Sequence, residues 1–182
     1  MSTTTSAPAG TWNIDPAHSN VTFQVKHLGI ATVRGVFTEF EGTLELGDDL
    51  SAAKAYGTVK TASVDTKESS RDEHLRSADF FDAEQYPELS FTSTEIKGVD
   101  EDELEITGDL TIHGVTKPIT LKGEVTGTDT DPWGNDRVAL EVAGKLNRGD
   151  YGMTFNQALG SGNMLVSDQV KLNVDISAVK AS

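Results

Sequence analysis

The sequence predicts an all-β protein in which about eight or nine antiparallel strands form a barrel with a short helical cap. Three observations predict this fold: apolar and polar residues alternate over most of the chain, Gly, Pro, Asp and Asn turns separate the alternating segments, and several segments are about ten residues long. Antiparallel sheets with one apolar face close into barrels or pack into sandwiches, and long tilted strands favour the barrel.

Most of the strands are recognised by a period of two. In the segment 103–112, for example, Leu104, Ile106, Leu110 and Ile112 alternate with Glu and Thr. The polar faces are rich in charged residues and Thr, and aromatic residues make up only 7% of the chain, so the apolar faces point inward rather than towards lipid. The clearest strands lie at 21–25, 40–46, 103–112, 119–126, 138–146 and 170–176, and weaker candidates lie at 11–14, 54–64 and 89–96.

One segment breaks the alternation and predicts a helix. Ser70-Arg71-Asp72-Glu73 matches a capping box, so the helix is expected to begin there and to run to about Asp79. Phe80 and Phe81 follow the helix and are too apolar for a free loop. We expect the helix to cover one end of the barrel, with these two rings as its plug.

Composition excludes several classes of function. The chain has 182 residues, with 15 Lys and Arg against 29 Asp and Glu, a net charge of −14. This imbalance disfavours nucleic acid and anionic membrane surfaces as partners, because both attract Lys and Arg. The absence of cysteine excludes disulfides, thiolate chemistry and iron–sulfur clusters. No segment reaches the roughly 18 apolar residues of a membrane helix, which predicts no stable membrane insertion.

The N-terminus predicts a polar tail. MSTTTSAPAG has neither a basic region nor an apolar run of the secretory type, so we expect a cytoplasmic protein, although a chain whose signal had been removed would look the same. Residues 1–10 are expected to be a disordered tail, and residues 11–180 a single barrel domain.

The apolar faces contain glycines in phase with their neighbours, at positions 42, 108, 123 and 144. They are compatible with bends or bulges of the barrel, or with a tunnel left by the missing side chains. A lumen about 30 Å long would accept an elongated apolar chain. Its predicted walls are Phe23, Phe40, Phe91, Leu110, Ile112, Leu121, Val142 and Leu146, residues that any packed core would also contain.

The polar motifs favour structural roles over chemistry. His18 and His27 lack a metal-binding spacing, and we expect them, like His113, to hydrogen-bond to loop backbone. Arg71, Asp72 and His74 are compatible with a grip on a polar head group or with a buried hydrogen-bonded latch, and we favour the latch. The segment 129–136 lacks the spacing of a calcium loop, and Arg148 is expected to pair with a carboxylate at the barrel rim.

Five separated blocks of the sequence resemble one family, the YceI-like proteins, a lipocalin-like group described as polyisoprenoid-binding. The blocks occur in the family's order and span nearly the whole domain. They read WNIDPAHSNVTFQVKHLG at 12–29, VRGVFTEFEGTLEL at 33–46, RDEHLRSADFFDAEQYPELSFTS at 71–93, GDLTIHGVTKPITL at 108–121 and GKLNRGDYGM at 144–153.

The resemblance implies an extended eight-stranded antiparallel barrel with a helical cap, a pore for an isoprenoid quinone-like or other long-chain lipid, and a possible homodimer. It implies no catalytic residue and no cofactor other than the bound lipid. The predicted function is therefore that of a lipid carrier or reservoir, with Arg71, His74, Phe80 and Phe81 added to the ligand-binding residues. Two rivals remain: an enzyme that uses Arg71, Asp72 and His74 on a lipid-like substrate, and a solidly packed structural or stress-related barrel.

Overall fold

The computed structural model describes residues 8–100, 102–161 and 164–181 and consists mainly of β-strands. Short 3₁₀ helices occur at Pro16–His18, Leu50–Ala52, Thr61–Ser63 and Arg148–Tyr151. The strands are β1 (Gly10–Ile14), β2 (Asn20–His27), β3 (Ala31–Phe37), β4 (Phe40–Leu46), β5 (Lys54–Lys60), β6 (Val64–Asp65), β7 (Glu88–Gly98), β8 (Glu103–Ile112), β9 (Val115–Thr130), β10 (Asp136–Asn147) and β11 (Val166–Lys180), and the helix α1 is Ser69–Arg76.

The strands form a closed antiparallel barrel in which sequence neighbours are also neighbours in space. β1 with β2, β3 with β4, and β5 with β6 each act as one interrupted strand, so the segments make eight barrel strands. The ring closes because β11 pairs with both β1 and β2. The predicted all-β barrel with a short helix is therefore confirmed.

The predicted inward faces agree with the strand register. Leu110 of β8 pairs with Phe91 of β7, and Ile106 pairs with Leu121 of β9, all on the apolar side of the wall. β3 is absent from the predicted strands, because Gly35 stands where an apolar side chain would complete the alternation of Val33 and Phe37.

The helix differs from its predicted limits. It begins at Ser69, and the carboxylate of Glu68 accepts hydrogen bonds from the N–H groups of Ser70 and Arg71. The capping box predicted at Ser70 is therefore wrong, since the upstream Glu68 already satisfies these donors. The helix also ends at Arg76, short of the expected Asp79. No helix in the described part of the chain is long and apolar enough to cross a membrane.

The two ends of the barrel are covered differently. The turn at 28–30, the segment 66–87 that contains α1, and the loop 148–165 lie at one end, which we call the cap end, because connections of an antiparallel meander alternate between ends. At the other end the side chain of Trp12 is fully buried, and its Nε1–H donates to the Pro8 carbonyl at 3.1 Å. Trp12 packs with Leu44, Val138 and Ala178 and closes this end. Residues 1–7 of the predicted tail lie outside the described residues, and Gly10 already belongs to β1.

Candidate ligand-binding site

A cavity of about 230 Å³ lies under the cap, and we call it the cap-end cavity. Its walls come from β2 and β3, from α1 with the segment that follows it, and from the loop after β10. Most of its lining side chains are apolar. They include Phe23, Val25, Val33, Phe37, Leu75, Phe80, Phe81, Ile112, Leu146, Met153, Phe155 and Leu165, with Arg71, His74 and Arg148 among the polar members.

A second cavity, of about 210 Å³, lies deeper in the barrel, and we call it the central cavity. Inward-facing side chains from every barrel strand contribute to it. The main contributors are Phe23, Phe40, Phe91, Leu110, Ile112, Ile119, Leu121, Leu140, Val142, Leu172 and Val174.

Three phenyl rings stand where the two cavities meet. Phe23 and Phe37 line both cavities. Phe81, in the segment after α1, lines the cap-end cavity and packs against both of these rings. The ring centroids are 5.5 Å apart for Phe23 and Phe37, 5.6 Å for Phe37 and Phe81, and 6.4 Å for Phe23 and Phe81. These are ordinary aromatic contact distances, so the rings form a partition between the cavities.

Every residue predicted to bind ligand lies on one of these walls. Phe80, Phe81, Leu146, Arg71 and His74 line the cap-end cavity, and Phe23 and Ile112 line both. The central cavity is lined by Phe40, Phe91, Leu110, Leu121 and Val142. That these residues contact a ligand stays a prediction.

The barrel interior is hollow rather than solidly packed. Phe40, Phe91, Leu110 and Leu121 point inward, yet each retains partial exposure, and this exposed surface faces the central cavity. In a core packed to the density usual for proteins, side chains in these positions would be fully buried. The glycines contribute to this interior space only indirectly. A neighbouring side chain lies in the space next to each glycine, against the wall of the barrel. A β-carbon at Gly144 would lie 2.3 Å from Leu121 Cδ2, and one at Gly42 would lie 2.5 Å from Ile14 Cδ1.

Arg71 and Asp72 form a latch through a shared partner, Thr66. The buried carboxylate of Asp72 accepts hydrogen bonds from the backbone N–H of Thr66 at 2.8 Å and from its hydroxyl at 2.5 Å. Arg71 donates from Nε to the Thr66 hydroxyl and from Nη2 to the Thr66 carbonyl, both at 2.8 Å. The latch ties α1 to the end of β6, while Arg71 also reaches the cap-end cavity.

His74 lies outside this latch. Its Nε2 is 2.9 Å from Asp79 Oδ2, and its ring packs edge-on against Phe80 and Phe155, with centroids 5.0 and 4.9 Å away. The expected cluster of Arg71, Asp72 and His74 is therefore split into a latch on Thr66 and an aromatic contact at the cavity wall.

Arg148 is buried, and mainly backbone carbonyls hold it. Its guanidinium donates to the carbonyls of Met153, Ser167 and Val166 at 2.8, 3.0 and 3.3 Å. The carboxylate that pairs with Arg148 is that of Asp168, which is exposed and lies 3.7 Å away. Burial lowers the pKa of Arg148, against the opposite effect of Asp168. Arg148 thus ties the loop 148–165 to β11, chiefly through carbonyls rather than through the predicted ion pair.

The other polar motifs form structural contacts. His18 Nδ1 lies 2.7 Å from Asp15 Oδ2, so its partner is a carboxylate and not the expected backbone group. His113 Nδ1 lies 3.2 Å from the Tyr151 carbonyl oxygen, as expected. In the segment 129–136, the Asp131 carboxylate accepts hydrogen bonds from the backbone N–H groups of Trp133 and Asn135 and closes the hairpin. No cluster of three or more metal-ligating side chains occurs in the described ranges.

Sequence reasoning missed part of the cap-end wall. Lys26 and His27 end β2 at the cavity, and Phe155 comes from a loop without periodicity. The blocks that resemble the family include Lys26 and His27, but only the closed barrel shows that they line the same cavity as α1.

Comparison with known proteins agrees with this architecture. The YceI-like domain model matches residues 12–178. The chain belongs to the YceI-like family. It is 44% identical to protein YceI of Escherichia coli O157:H7 over 178 residues, which cover 96% of this chain and 90% of the relative.

Solved structures of the same fold include other members of the family. The YceI protein of Campylobacter jejuni is 31% identical, with a TM-score of 0.74 over 86% of this chain and 90% of that one. A polyisoprenoid binding domain from Saccharophagus degradans has a TM-score of 0.70 at 16% identity, over 93% of this chain and 98% of that domain, and shares the fold.

Proposed function

We propose that this protein binds an elongated apolar chain, of the isoprenoid or fatty-acyl type, inside its barrel and acts as a carrier or reservoir for that lipid. The observation that carries the proposal is the pair of adjacent apolar cavities, which share Phe23 and Phe37 as lining residues and are separated by the contacts of these rings with Phe81. Membership of the YceI-like family and the fold shared with a polyisoprenoid binding domain support it.

The cavity volumes favour a long ligand. Each cavity, at about 230 and 210 Å³, is smaller than the roughly 300 to 1,000 Å³ of a usual ligand pocket, whereas the two together reach this range. A chain that fills both must pass the three phenyl rings. Because Phe81 is half-buried and lies outside the barrel strands, it is the ring with most freedom to move aside.

Binding of this kind depends on burial of apolar surface. At about 25 cal/mol per Å², a chain threaded through the barrel binds strongly, and the walls discriminate poorly between chains that differ by one or two carbons. We propose no covalent step, and polar groups at the cap end then select the head group.

Native mass spectrometry of the freshly purified protein, followed by organic extraction, tests this function. We expect a stoichiometric prenyl or acyl compound to be released unchanged, and the same spectrum reports the oligomeric state. Leu110→Trp places a large ring in the central cavity and should lower occupancy, whereas Thr126→Trp, at an exposed position of β9, should leave it unchanged.

A bare mass from several expression hosts, with no uptake of added quinones or fatty amides, would contradict the proposal and favour a structural barrel. Equal occupancy of Leu110→Trp and wild-type protein would place the ligand outside the central cavity. Recovery of a chemically altered compound after incubation would instead favour the enzyme.

A further inference from the structure

Two exposed apolar side chains lie beside the cap-end cavity. Ile30 is 77% exposed and Met164 is 44% exposed. They belong to neighbouring loops, because the Leu28 N–H donates to the Leu165 carbonyl at 3.0 Å, and Leu165 also lines the cavity. Single exposed apolar residues are ordinary on a protein surface, whereas this pair borders the apolar wall of a binding cavity.

The turn that carries Ile30 has a defined and unfavourable shape. Leu28 and Gly29 both adopt positive φ angles, of 60° and 74°, and the Ile30 N–H donates to the His27 carbonyl at 3.2 Å. A positive φ is costly for a leucine, because its β-carbon crowds the neighbouring backbone. A strained turn that holds an isoleucine in water indicates a role outside the core of the barrel.

Acidic residues are missing from both segments that carry these side chains. The chain contains 29 Asp and Glu residues, yet none of them lies in 20–38, which includes Ile30, or in 153–167, which includes Met164. The charged residues of the first segment are all basic, and the second segment has no charged residue. In a protein with a net charge of −14, this part of the surface therefore has an unusual local charge.

Acidic residues limit the extent of this surface. Asp168 follows the loop and lies 3.7 Å from Arg148, and α1, which also borders the cavity, carries the exposed Glu73. The surface without acidic residues is therefore confined to the turn 28–30 and the loop 153–165, and we call it the apolar face.

From this arrangement we infer that the apolar face docks on a lipid bilayer, with Ile30 and Met164 inserted at the level of the acyl chains. The inference rests on the proposed function, because a ligand that is insoluble in water must enter the barrel from a membrane. A bilayer accepts apolar side chains at its interface, and an anionic one repels the carboxylates that this face lacks. Insertion of only two side chains gives weak and reversible docking, as a carrier requires.

A second copy of the chain fits this face less well. Two copies that each carry a net charge of −14 repel one another. Two exposed apolar side chains are also few for a stable protein interface, which buries roughly 1,200 to 2,000 Å². The size and charge of the face therefore favour the bilayer.

Quenching of tryptophan fluorescence by vesicles of brominated phosphatidylcholine mixed with phosphatidylglycerol tests the docking, because the bromine atoms quench only rings that enter the bilayer. The wild-type protein is its own control: Trp12 is buried, and Trp133, which is 80% exposed, lies in the hairpin at the opposite end of the barrel. Ile30→Trp combined with Trp133→Phe should lose emission with these vesicles, whereas the wild-type protein should not. Quenching of the wild-type protein would place the contact at the wrong end and overturn the inference.

Transfer of farnesol, a prenyl alcohol, from unbrominated vesicles of the same two lipids provides a second test. Ile30→Glu should slow transfer at least about tenfold, because an apolar side chain leaves the bilayer and a carboxylate takes its place. Its affinity for farnesol in vesicle-free solution should equal that of the wild-type protein. Val99→Glu makes the same change in charge at a 63% exposed residue of the opposite end and should alter neither value.

The outcomes separate the docking from the proposed function. Failure of the wild-type protein to bind farnesol in solution would overturn the proposed function and this inference with it. Normal binding in solution without quenching of the Ile30→Trp protein would overturn the docking alone, as would equal transfer rates for Ile30→Glu and Val99→Glu. A change from dimer to monomer in Ile30→Glu, measured by sedimentation, would assign the face to a second copy of the chain and contradict the inference.

Discussion

The ring of Phe91 lies against Gly108, in space that any other residue would occupy. A β-carbon at Gly108 would come within 2.5 Å of Phe91 Cζ and within 2.5 Å of the Thr92 carbonyl oxygen. Phe91 also stands directly opposite Gly57 on β5. The absence of a side chain at Gly108 therefore lets the Phe91 ring lie along the wall of the central cavity.

Gly108→Ala should destabilise the barrel and shrink the central cavity. The added methyl group would displace the Phe91 ring and press on the Thr92 carbonyl, at a cost of about 1 to 3 kcal/mol, typical of an overpacked core. Urea unfolding measures the loss, and titration with a long-chain alcohol measures the reduced capacity. Gly127→Ala is the matched control, because nothing lies within 4 Å of its β-carbon position. Similar losses in both variants would refute the packing explanation.

The latch between Thr66 and Asp72 should control the stability of the cap. Thr66→Val keeps the shape of the side chain but removes the hydroxyl that bonds to Asp72 and Arg71. Because Thr66 and Asp72 are both buried, the loss of these hydrogen bonds should lower the free energy of unfolding by about 1 to 3 kcal/mol. Hydrogen exchange of the α1 amides should accelerate more than exchange in β8. Thr126→Val, at an exposed position, serves as the control. If hydrogen exchange accelerated equally in α1 and β8, or equally in both variants, the latch would not control the stability of the cap.

Much of the fold was predictable because most barrel strands repeat with a period of two over about ten residues. The segment 103–112 is the clearest case: Ile106, Leu110 and Ile112 line the central cavity, and Leu104 packs against the core around Trp12. β3 escaped prediction because Gly35 replaces an apolar side chain in its series. A β-carbon at Gly35 would lie 2.3 Å from Phe23 Cζ. The glycine that interrupts the apolar alternation of β3 is therefore also the residue that makes room for the Phe23 ring.

The walls of the site were predictable, but the partners of its polar residues were not. Inward position follows from alternation, which is why Phe40, Phe91 and Leu110 were assigned correctly to an interior wall. Hydrogen-bond partners depend on loops, whose paths have no period. The link of Arg71 to Thr66 and the link of Arg148 to the Met153 carbonyl both arise in such segments.

Acid should weaken the contact between Asp131 and Arg137. Hydrogen bonds from the Asn135 backbone and from Arg137 lower the pKa of Asp131 from 3.8 to about 2, although burial opposes them. A carboxylate with a lowered pKa stabilises the fold above its unfolded pKa and loses this contribution as the pH falls towards its folded pKa. Asp131→Asn should therefore lower the thermal midpoint at neutral pH, and its difference from wild-type protein should shrink between about pH 4 and pH 2.

The exposed Asp109 provides the control for this experiment. Asp109→Asn removes one carboxylate from β8, where the described residues make no ion pair or hydrogen bond to its side chain. Its difference from wild-type protein should change less over the same pH interval. A constant difference for Asp131→Asn down to pH 2 would contradict the assigned role of its carboxylate.

Phe81→Ala should join the two cavities and accelerate the entry of long chains. Removal of this ring opens the partition with Phe23 and Phe37, at a stability cost below the roughly 3 to 5 kcal/mol of a fully buried phenylalanine, because Phe81 is half-buried. Stopped-flow measurement with farnesol and with a C10 analogue of the same series separates the effects, since only the longer chain must cross the partition. Phe155→Ala, in the wall of the cap-end cavity but away from the partition, should change the two rates alike. Equal acceleration of both chains by Phe81→Ala would show that the rings do not control passage.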